Sequence, residues 1–454
     1  MKIKQEEKIS IITAGILTVL FGFTVSHVDC NTITTWGYDL LDAISKGRFM
    51  EFPVFTYQQH GMPTNYSLFV NAIVAIWLLP LYIIQKLIGA TWSILVYDTW
   101  FKCFHLVIHT CNLLLLNRII EKKFDEQKLR RIFLFCYMTS AVVLVTVLGK
   151  GQVDNFVVFF SLLGILLLSK KRTAWAMILW GCAFCIKPFV ILLMVPFLLL
   201  YMGRVGRKSI GYIMLCLIPY ICDQVLTHCV MKDYAAMKAL TSQMFKDTFG
   251  SSRVEEIFSV QINNILVFFG IALVICFICL KIGMEKKDEW WHYLTLPTLL
   301  FMGYGIFVSD TCYWFIVIMP AVCILGMSLQ YRRDFYLLLL GSNLGVVIYT
   351  YVLEQNYRVG INYSFLALLG LKDGAITGEL AQLTDIQMTV CKIGATLFLL
   401  CMVMIVLLFM YEQKKPVHDK NEPDMSVGIL DEYGYWLQVI PVVLYLFAIY
   451  VNIG

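Results

Sequence analysis

IFLFCYMTSAVVLVTVL (residues 132–148) and FVVFFSLLGILLL (residues 156–168) are two apolar runs separated by the polar break GKGQVDN (residues 149–155). Both runs are predicted to be membrane spans, because long apolar stretches favour helices in hydrocarbon. Polar groups at a membrane boundary are costly unless they serve a site or stay hydrated. A second break, Lys187-Pro188, lies between two further apolar runs. Together the two breaks predict a site on one face of a membrane-embedded protein.

The composition of the whole chain excludes a soluble fold. Of its 454 residues, 59% are hydrophobic and 15% are charged, whereas about 25% are charged in soluble domains. Apolar runs of roughly 17 to 25 residues, the length of a membrane-spanning helix, recur along almost the whole chain. We therefore predict an all-α, polytopic transmembrane bundle in a lipid bilayer. The net charge of +5 is assigned to loops at the membrane surface and does not indicate a nucleic-acid partner.

The basic residues that flank the apolar runs predict the topology. Lys2, Lys4 and Lys8 precede the first run without a cleavage site, so we expect that run to be retained as a span. Clusters of Lys and Arg follow at 118–131, 170–172, 204–208, 281–287, 332–333 and 414–420. Each cluster is separated from the next by two apolar runs, so all can be cytoplasmic. The connections at 149–154, 187, roughly 230–258, 309–311 and roughly 354–385 then face outward.

One run does not fit this pattern. The N-terminus, with its three lysines, should also be cytoplasmic. If the apolar runs at 9–26, 67–88 and 94–117 all crossed from there, the basic loop at 118–131 would lie outside. The run 67–88 contains Asn71, Pro80 and Gln85, so we predict that it lies along or dips into the outer surface. The alternative is a complete span and a local violation of the charge rule.

The expected organisation has two parts. A transmembrane core covers 1–330, with a first outer loop at about 27–92 that carries interfacial helices. Transmembrane helices with a polar linker at 412–433 make up 331–454. The whole chain would cross about 13 times, with the C-terminus outside.

Two aspartates are candidates for chemistry at the outer face. Asp29 ends the first span and precedes an amphipathic surface helix at 32–46 that carries Trp36. A carboxylate there could deprotonate a hydroxyl acceptor, or Asp29 could simply cap the helix. Asp154 begins the next span, where it complements the helix dipole, and it could equally be a cap. Gln152 beside it could donate to a sugar or phosphate oxygen.

Lys187 is the candidate phosphate contact. It precedes Pro188, which favours the first position of a helix, and a helix N-terminus binds anions. An ion pair between Lys187 and Asp154 is the main alternative. Asp310 and Tyr313 lie at another outward connection, where Tyr313 could stack on a sugar or serve as an interfacial aromatic. No metal site is predicted, since the 15 cysteines form no ligand array and His105 and His109 lack a following carboxylate.

The order of these features resembles the polytopic glycosyltransferases of the C superfamily. The short N-terminus, the first span and the acidic opening of the first outer loop resemble that superfamily along about 1–330. The closer similarity covers roughly 140–202, where Gly151-Gln152-Val153-Asp154, a span, the basic turn 170–172, another span and Lys187-Pro188 resemble the bacterial branch related to GPI mannosyltransferases. A departure lies at 309–313, which holds neither Arg nor His.

The resemblance implies transfer of a sugar, mannose or another hexose, from a polyprenyl-phosphate donor to an extracytoplasmic glycan, lipid or protein acceptor, with inversion. It implies Asp29 as general base and Asp154 as a second carboxylate. Lys187, Gln152 and Lys150 would contact the donor phosphate, and Trp36, Asp310 and Tyr313 the sugar or acceptor. The implied location is the bacterial cytoplasmic membrane with the site facing outward. No cofactor is assigned, and a divalent metal stays open.

Other functions make different demands on the sequence. A lipid-linked-sugar transporter or flippase would carry charged positions at mid-membrane, where Asp98, Lys102 and Asp223 are the exceptions in this chain. A polysaccharide polymerase or ligase would have a large arginine-rich outer loop, whereas 230–258 is mixed in charge. A structural membrane protein would not need Lys187 beside an outward helix start.

Overall fold

The computed structural model describes residues 5–451 except 62, 65, 90–91, 93, 207, 241–253, 258–259, 288, 309–311, 358–359, 362–383 and 415–428. Its helices are α1 (Gln5–Thr24), α2 (Val28–Ser45), α3 (Phe52–His60), α4 (Leu68–Ile88), α5 (Ile94–Ile120), α6 (Gln127–Met138), α7 (Asp154–Ser169), α8 (Thr173–Ile186), α9 (Ile191–Val205), α10 (Lys208–Val225), α11 (Asn264–Glu285), α12 (His292–Phe307), α13 (Met319–Met327), α14 (Arg332–Tyr357), α15 (Asp385–Lys414), α16 (Ile429–Tyr433) and α17 (Val439–Val451).

Strands are minor elements of this fold. β1 (Val25–Ser26) pairs antiparallel with β4 (Gly360–Ile361), and β2 (Val254–Ile257) pairs antiparallel with β3 (Val260–Asn263). Every longer element among the described residues is helical, so the predicted all-α class is confirmed. The predicted linker at 412–433 is shorter than expected: 412–414 end α15, 429–433 form α16, and the part between lies outside the described residues.

The helices suit a membrane, but in smaller number than predicted. Within the described ranges, seven helices are long and apolar enough to cross, or eight if the bent pair Gln127–Met138 and Val142–Gly149 is one span. The predicted count of thirteen is not confirmed. Helices α7 and α8 have 16 and 14 residues, which at 1.5 Å per residue reach about 24 and 21 Å, less than the roughly 30 Å of a hydrocarbon core. The polar breaks shorten these helices.

A buried π-helical segment (Val142–Gly149) lies at the centre of the bundle. All its residues are buried, and it bends by 49° from α6. Its start is held from α14, where Asn343 Oδ1 accepts a 3.0 Å hydrogen bond from the Ala141 N–H. Since Asn343 belongs to 331–454, the two predicted parts pack against each other. The division itself stays a prediction.

The segment predicted to be the first outer loop contains three helices, α2, α3 and α4, of which α2 and α4 run side by side. Helix α2 includes the predicted amphipathic helix, and Gly37 on α2 approaches α4 so closely that a Cβ would lie 2.5 Å from Val74 Cγ1. Further along, Tyr82 and Lys86 of α4 donate to Asp42 at 3.0 and 3.2 Å. Helix α4 therefore packs along α2 over most of its length.

Residues 25–29, 149–154, 187, 312–317 and 360–361 lie together at one end of the bundle, here called the site end. This group includes the outward-predicted connections 149–154 and 187 and two residues of the connection 354–385, whereas 309–311 lies outside the described residues. The β1–β4 pairing joins 25–26 to 360–361, and Lys187 and Lys150 both lie over the Tyr313 ring. Described residues of several basic loops meet at a second place, here called the basic end (118–131, 169–172, 286–287, 289–291, 330–333 and 429–432). There Lys123 lies 3.6 Å from the Trp290 ring centroid, and the Arg333 N–H donates to Asp431 at 3.1 Å.

Candidate functional site

Helix α2 presents Asp29 in its first turn. The N-cap residue is His27, whose Nδ1 accepts a 3.0 Å hydrogen bond from the Asp29 backbone N–H. The capping role that the sequence left open for Asp29 therefore belongs to His27. The Asp29 side chain is 38% exposed, and its Oδ2 accepts a hydrogen bond from Gln152 Nε2. Asp29 is thus a partly exposed carboxylate held from the loop 149–155.

The loop 149–155 packs on the first turn of α2 and on α5. Gly151 has a φ of +65°, and a Cβ at this position would lie 2.8 Å from Cys30 Sγ. Glycine adopts this backbone conformation without strain and leaves room for the thiol. The Gln152 N–H donates to Val147 O at 3.1 Å, so the loop turns back on the end of the π-helical segment. The glycine therefore permits a tight turn at this point.

Asp154 and Lys187 form a buried ion pair. Asp154 begins α7, and its N-cap, Val153, makes no side-chain cap. The Asp154 side chain is fully buried, and Lys187 Nζ lies 3.8 Å from its Oδ2. Neither Asp154 oxygen has a hydrogen-bond partner among the described residues. Asp154 is therefore not a hydrogen-bonding cap, and its charge is balanced by a lysine slightly beyond hydrogen-bond distance.

Lys187 lies at a joint between helices, as its sequence predicts. It ends α8 in an extended conformation, and Pro188 follows as the first residue of a 3₁₀ turn, Pro188–Val190, that leads into α9. Proline fits this position because it has no N–H to leave unpaired. The ammonium group is nearly buried and lies 3.5 Å from the Tyr66 hydroxyl. Lys187 thus faces both Asp154 and Tyr66.

Aromatic rings surround the two lysines. The Nζ of Lys187 lies 4.9 Å from the Tyr66 ring centroid and 5.8 Å from that of Tyr313, and the Nζ of Lys150 lies 5.5 Å from that of Tyr313. Trp36 meets Tyr66 edge-on at 5.8 Å but is itself buried. The structure therefore brings Tyr313 into the site and places Trp36 behind Tyr66, as its support.

Tyr66 was missed by the sequence analysis. It lies between α3 and α4, and the next residue, Ser67, caps α4 and donates to Cys185 O at 3.0 Å. Asp223 of α10 accepts from the Phe69 N–H at 2.8 Å, so this buried carboxylate also fixes the start of α4. A serine before the apolar run 68–88 was the signal for a helix start, but nothing local indicated that Tyr66 would meet Lys187.

Burial sets the protonation of the site. Burial lowers the pKa of His27 to about 4, so the imidazole is neutral and its 3.4 Å contact with Asp29 Oδ2 is not an ion pair. Burial lowers the pKa of Lys150 to about 8, although the Asp29 charge opposes this shift. Burial also raises the pKa of Tyr66 well above its usual value. Tyr66 therefore stays a neutral hydroxyl, and Lys150 can gain or lose its charge near neutral pH.

The start of α7 is anchored by amides that the sequence did not single out. Asn155 Nδ2 donates to His105 O at 3.0 Å, and Asn112 Nδ2 donates to Asn155 Oδ1 at 2.8 Å. All three residues are buried. Helix α5 therefore fixes the position of α7 and, with it, of Asp154.

The remaining expectations concern Asp310 and metals. Asp310 lies outside the described residues, so its predicted role stays a prediction. Among the described residues, no group of three or more His, Cys, Asp or Glu side chains could hold a metal ion. His105 and His109 are both buried on α5, where His109 stacks on Tyr137 at 6.1 Å.

Comparison of the chain with protein-family models, with curated proteins and with solved structures finds no match. The site combines a partly exposed carboxylate, a buried carboxylate–ammonium pair, a second buried lysine and tyrosine rings around both lysines.

Proposed function

We propose that this protein is a membrane glycosyltransferase that moves a sugar from a polyprenyl-phosphate donor to a hydroxyl acceptor. The observation that carries the proposal is the grouping of Asp29, Gln152, Lys150 and Lys187 around one place at the end of a membrane bundle. A lipid phosphate that leaves in the reaction develops negative charge, and preorganised cations stabilise that charge. A carboxylate nearby can take the proton of the attacking hydroxyl.

Each group has a task that fits its surroundings. Lys150 and Lys187 would bind the donor phosphate, since both ammonium groups lie on the Tyr313 ring. Asp29 is the general base, because it is the exposed carboxylate and is oriented by Gln152. Asp154, fully buried beside Lys187, holds that lysine in place. Tyr66 and Tyr313 offer ring faces and edges to the sugar.

The chemistry is an inverting displacement. The acceptor oxygen attacks the anomeric carbon while its proton passes to an Asp29 oxygen. The bond between the anomeric carbon and the phosphate oxygen breaks, and the electron pair leaves with the polyprenyl phosphate. This agrees with the superfamily that the sequence resembles, in which the transferred sugar is a hexose such as mannose and the acceptor is a glycan, lipid or protein.

The finer topology belongs to the same proposal. The site would face outward from a bacterial cytoplasmic membrane, with α4 in the interface and about thirteen crossings, in accordance with the positive-inside rule. The start of α4 lies beside Cys185, close to the site end, and since α4 is itself long and apolar enough to cross, a complete span is the alternative. Short helices such as α7 and α8 could cross where the bilayer thins around the protein.

A donor-consumption assay tests the proposal. The purified protein in lipid nanodiscs is given a polyprenyl-phosphate-linked radiolabelled hexose, mannose first, and a lipid and glycan extract of the source membrane as acceptor. Because a general base contributes about 10² to 10⁴ in rate, we expect Asp29→Asn to lower transfer at least 100-fold.

The matched control is Asp42→Asn, on the same helix but paired with Lys46 and Lys86. We expect this variant to keep transfer within about threefold of wild type. Asp42 is largely buried, but Lys46 and Lys86 are half exposed and stay hydrated without it, and the asparagine oxygen can still accept from the Tyr82 hydroxyl. If Asp29→Asn transfers sugar as fast as Asp42→Asn, Asp29 is not the base. If wild type consumes no polyprenyl-phosphate hexose, the proposed function is wrong.

A further inference from the structure

A lysine on α5 lies beneath the candidate site without being part of it. Lys102 is 1% exposed, and its Nζ donates to Leu148 O at 2.8 Å and to Gly149 O at 2.5 Å. These carbonyls belong to the last two residues of the π-helical segment. A buried ammonium in the interior of a membrane bundle is costly and usually functional. The chemistry described above does not use it.

The position explains why a lysine is needed there. The last carbonyls of a helical segment have no donor within the segment, and water cannot supply donors inside a membrane bundle. An ammonium group at a helix C-terminus also interacts favourably with the helix dipole. Asp98, one turn earlier on α5, interacts electrostatically with Lys102 and offsets its charge. Lys102 is therefore a side-chain cap for a segment that ends where the loop 149–155 begins.

The same lysine also lies beside the place where Gly151 of the loop packs on Cys30. A Cβ on Gly151 would lie 3.5 Å from Lys102 Cε and 2.8 Å from Cys30 Sγ. Cys30 is fully buried and follows Asp29 in the chain. Lys102 thus bonds the first carbonyl of the loop and lies close to its glycine turn, while the Gln152 side chain of that loop reaches Asp29.

We propose that Lys102 is a positioning residue that fixes the loop 149–155 against the first turn of α2 and so aligns Gln152 with Asp29. Without the ammonium, the Leu148 and Gly149 carbonyls lose their donor and the loop moves away from Cys30. The effect on transfer rests on the proposed function, whereas the effect on the loop does not. A readout of the loop therefore tests the inference independently of the enzymatic assay.

The thiol of Cys30 is that readout. Full-length protein in nanodiscs is treated with N-ethylmaleimide, and labelling of each cysteine peptide is followed by mass spectrometry. We expect Lys102→Met, which keeps the length of the side chain and removes its donors, to raise the Cys30 labelling rate at least tenfold. Cys136 and Cys323, which are buried in α6 and α13, should keep their wild-type rates.

Thr146→Val is the matched control. Its hydroxyl bonds only within the π-helical segment, to Val142 O at 2.6 Å, so the change removes a buried polar group from the same segment without touching the loop. We expect its Cys30 rate to equal that of wild type. Should Lys102→Met not fold, Lys102→Gln, which keeps a neutral donor, should raise the Cys30 rate about threefold.

Two results overturn the inference. One is an unchanged Cys30 rate in a folded Lys102 variant. The other is a parallel rise at Cys30, Cys136 and Cys323, which indicates general loosening and not movement of the loop. In the transfer assay we expect Lys102→Met to lower kcat about tenfold with KM for the donor within twofold, because Lys187 is left in place. If the wild-type protein transfers no sugar but Lys102→Met shows the selective rise in Cys30 labelling, the proposed function is refuted and the inference on Lys102 stands.

Discussion

The two ends of the molecule use charged residues in opposite ways. At the basic end, pairs such as Lys128 with Glu432 are exposed, at 3.6 Å and 41% and 46% exposure. At the site end, Lys187 and Asp154 are 13% and 0% exposed. An exposed pair contributes about 0–1 kcal/mol, whereas a buried charge that loses its partner costs about 3–5 kcal/mol. Exposed charges such as those at the basic end can orient the protein in a membrane, whereas buried charges such as those at the site end are placed to bind a charged ligand.

The largest expected effect is the loss of the buried pair. Lys187→Met leaves Asp154 buried without a counter-charge, so we expect the free energy of unfolding to fall by about 3 kcal/mol and transfer to fall more than 100-fold. Thermal unfolding in detergent and the donor-consumption assay measure the two effects. Removing both charges with Asp154→Leu and Lys187→Met should restore most of the stability but none of the transfer.

The equivalent change at the basic end is Lys128→Met. Its partner Glu432 stays hydrated, so we expect a loss of stability of less than about 1 kcal/mol and unchanged transfer. Equal destabilisation by Lys128→Met and Lys187→Met would contradict the contrast between the ends. Recovery of transfer in the double variant would instead remove Lys187 from donor binding.

The next effect concerns pH. The pKa of Lys150 is lowered to about 8, chiefly by burial, so its ammonium is present below pH 8 and is lost as the pH rises through 8. If the donor phosphate needs that charge, kcat/KM falls above pH 8, to about a tenth at pH 9 for a single group. A pH profile of kcat/KM from 6.5 to 9.5 measures this decline.

Lys150→Arg provides the control for the pH profile. The guanidinium stays charged at every accessible pH, so the decline near pH 8 should disappear even if the maximal rate is lower. A profile for Lys150→Arg that still falls near pH 8 would assign the titration to another group.

The smallest expected effect is that of one hydroxyl. Tyr66→Phe keeps the ring beside Lys187 and Trp36 but removes the oxygen that lies 3.5 Å from Lys187 Nζ. One hydrogen bond is worth about 1 kcal/mol, so we expect kcat/KM to fall about fivefold. The control is Tyr336→Phe near the basic end, whose hydroxyl contacts Met327 Sδ at 3.9 Å, and it should leave kcat/KM unchanged.

The sequence predicted the parts of the site that interrupt apolar runs. Asp154, Lys187 and the glycine turn were found because polar residues between spans need a reason. Asp29 was found because it begins an amphipathic helix after the first span. These signals are local, and the structure brings the residues together. Their catalytic and phosphate-binding roles remain proposals, because geometry alone does not test them.

Other parts could not be predicted because they depend on packing between distant segments. Tyr66 reaches Lys187 only because Ser67 and Asp223 fix the start of α4. Lys102 and Asn112 looked like isolated polar residues in a span, since their partners lie in the segments around 148–155. The count of thirteen spans is not confirmed for a related reason: hydropathy does not show that α6 bends away from the segment after it or that α7 and α8 end early.

The pairing of Val25 and Ser26 with Ile361 and Gly360 carries a consequence for biogenesis. The residues just before Asp29 are among the first to leave the ribosome, while their backbone partners emerge only after most of the bundle has been translated. The acidic opening of α2 therefore acquires this support late in synthesis. A chain that stops at residue 330 contains the catalytic and binding candidates Asp29, Lys150, Gln152, Asp154 and Lys187. It lacks β4, the strand that pairs with β1 just before the first turn of α2.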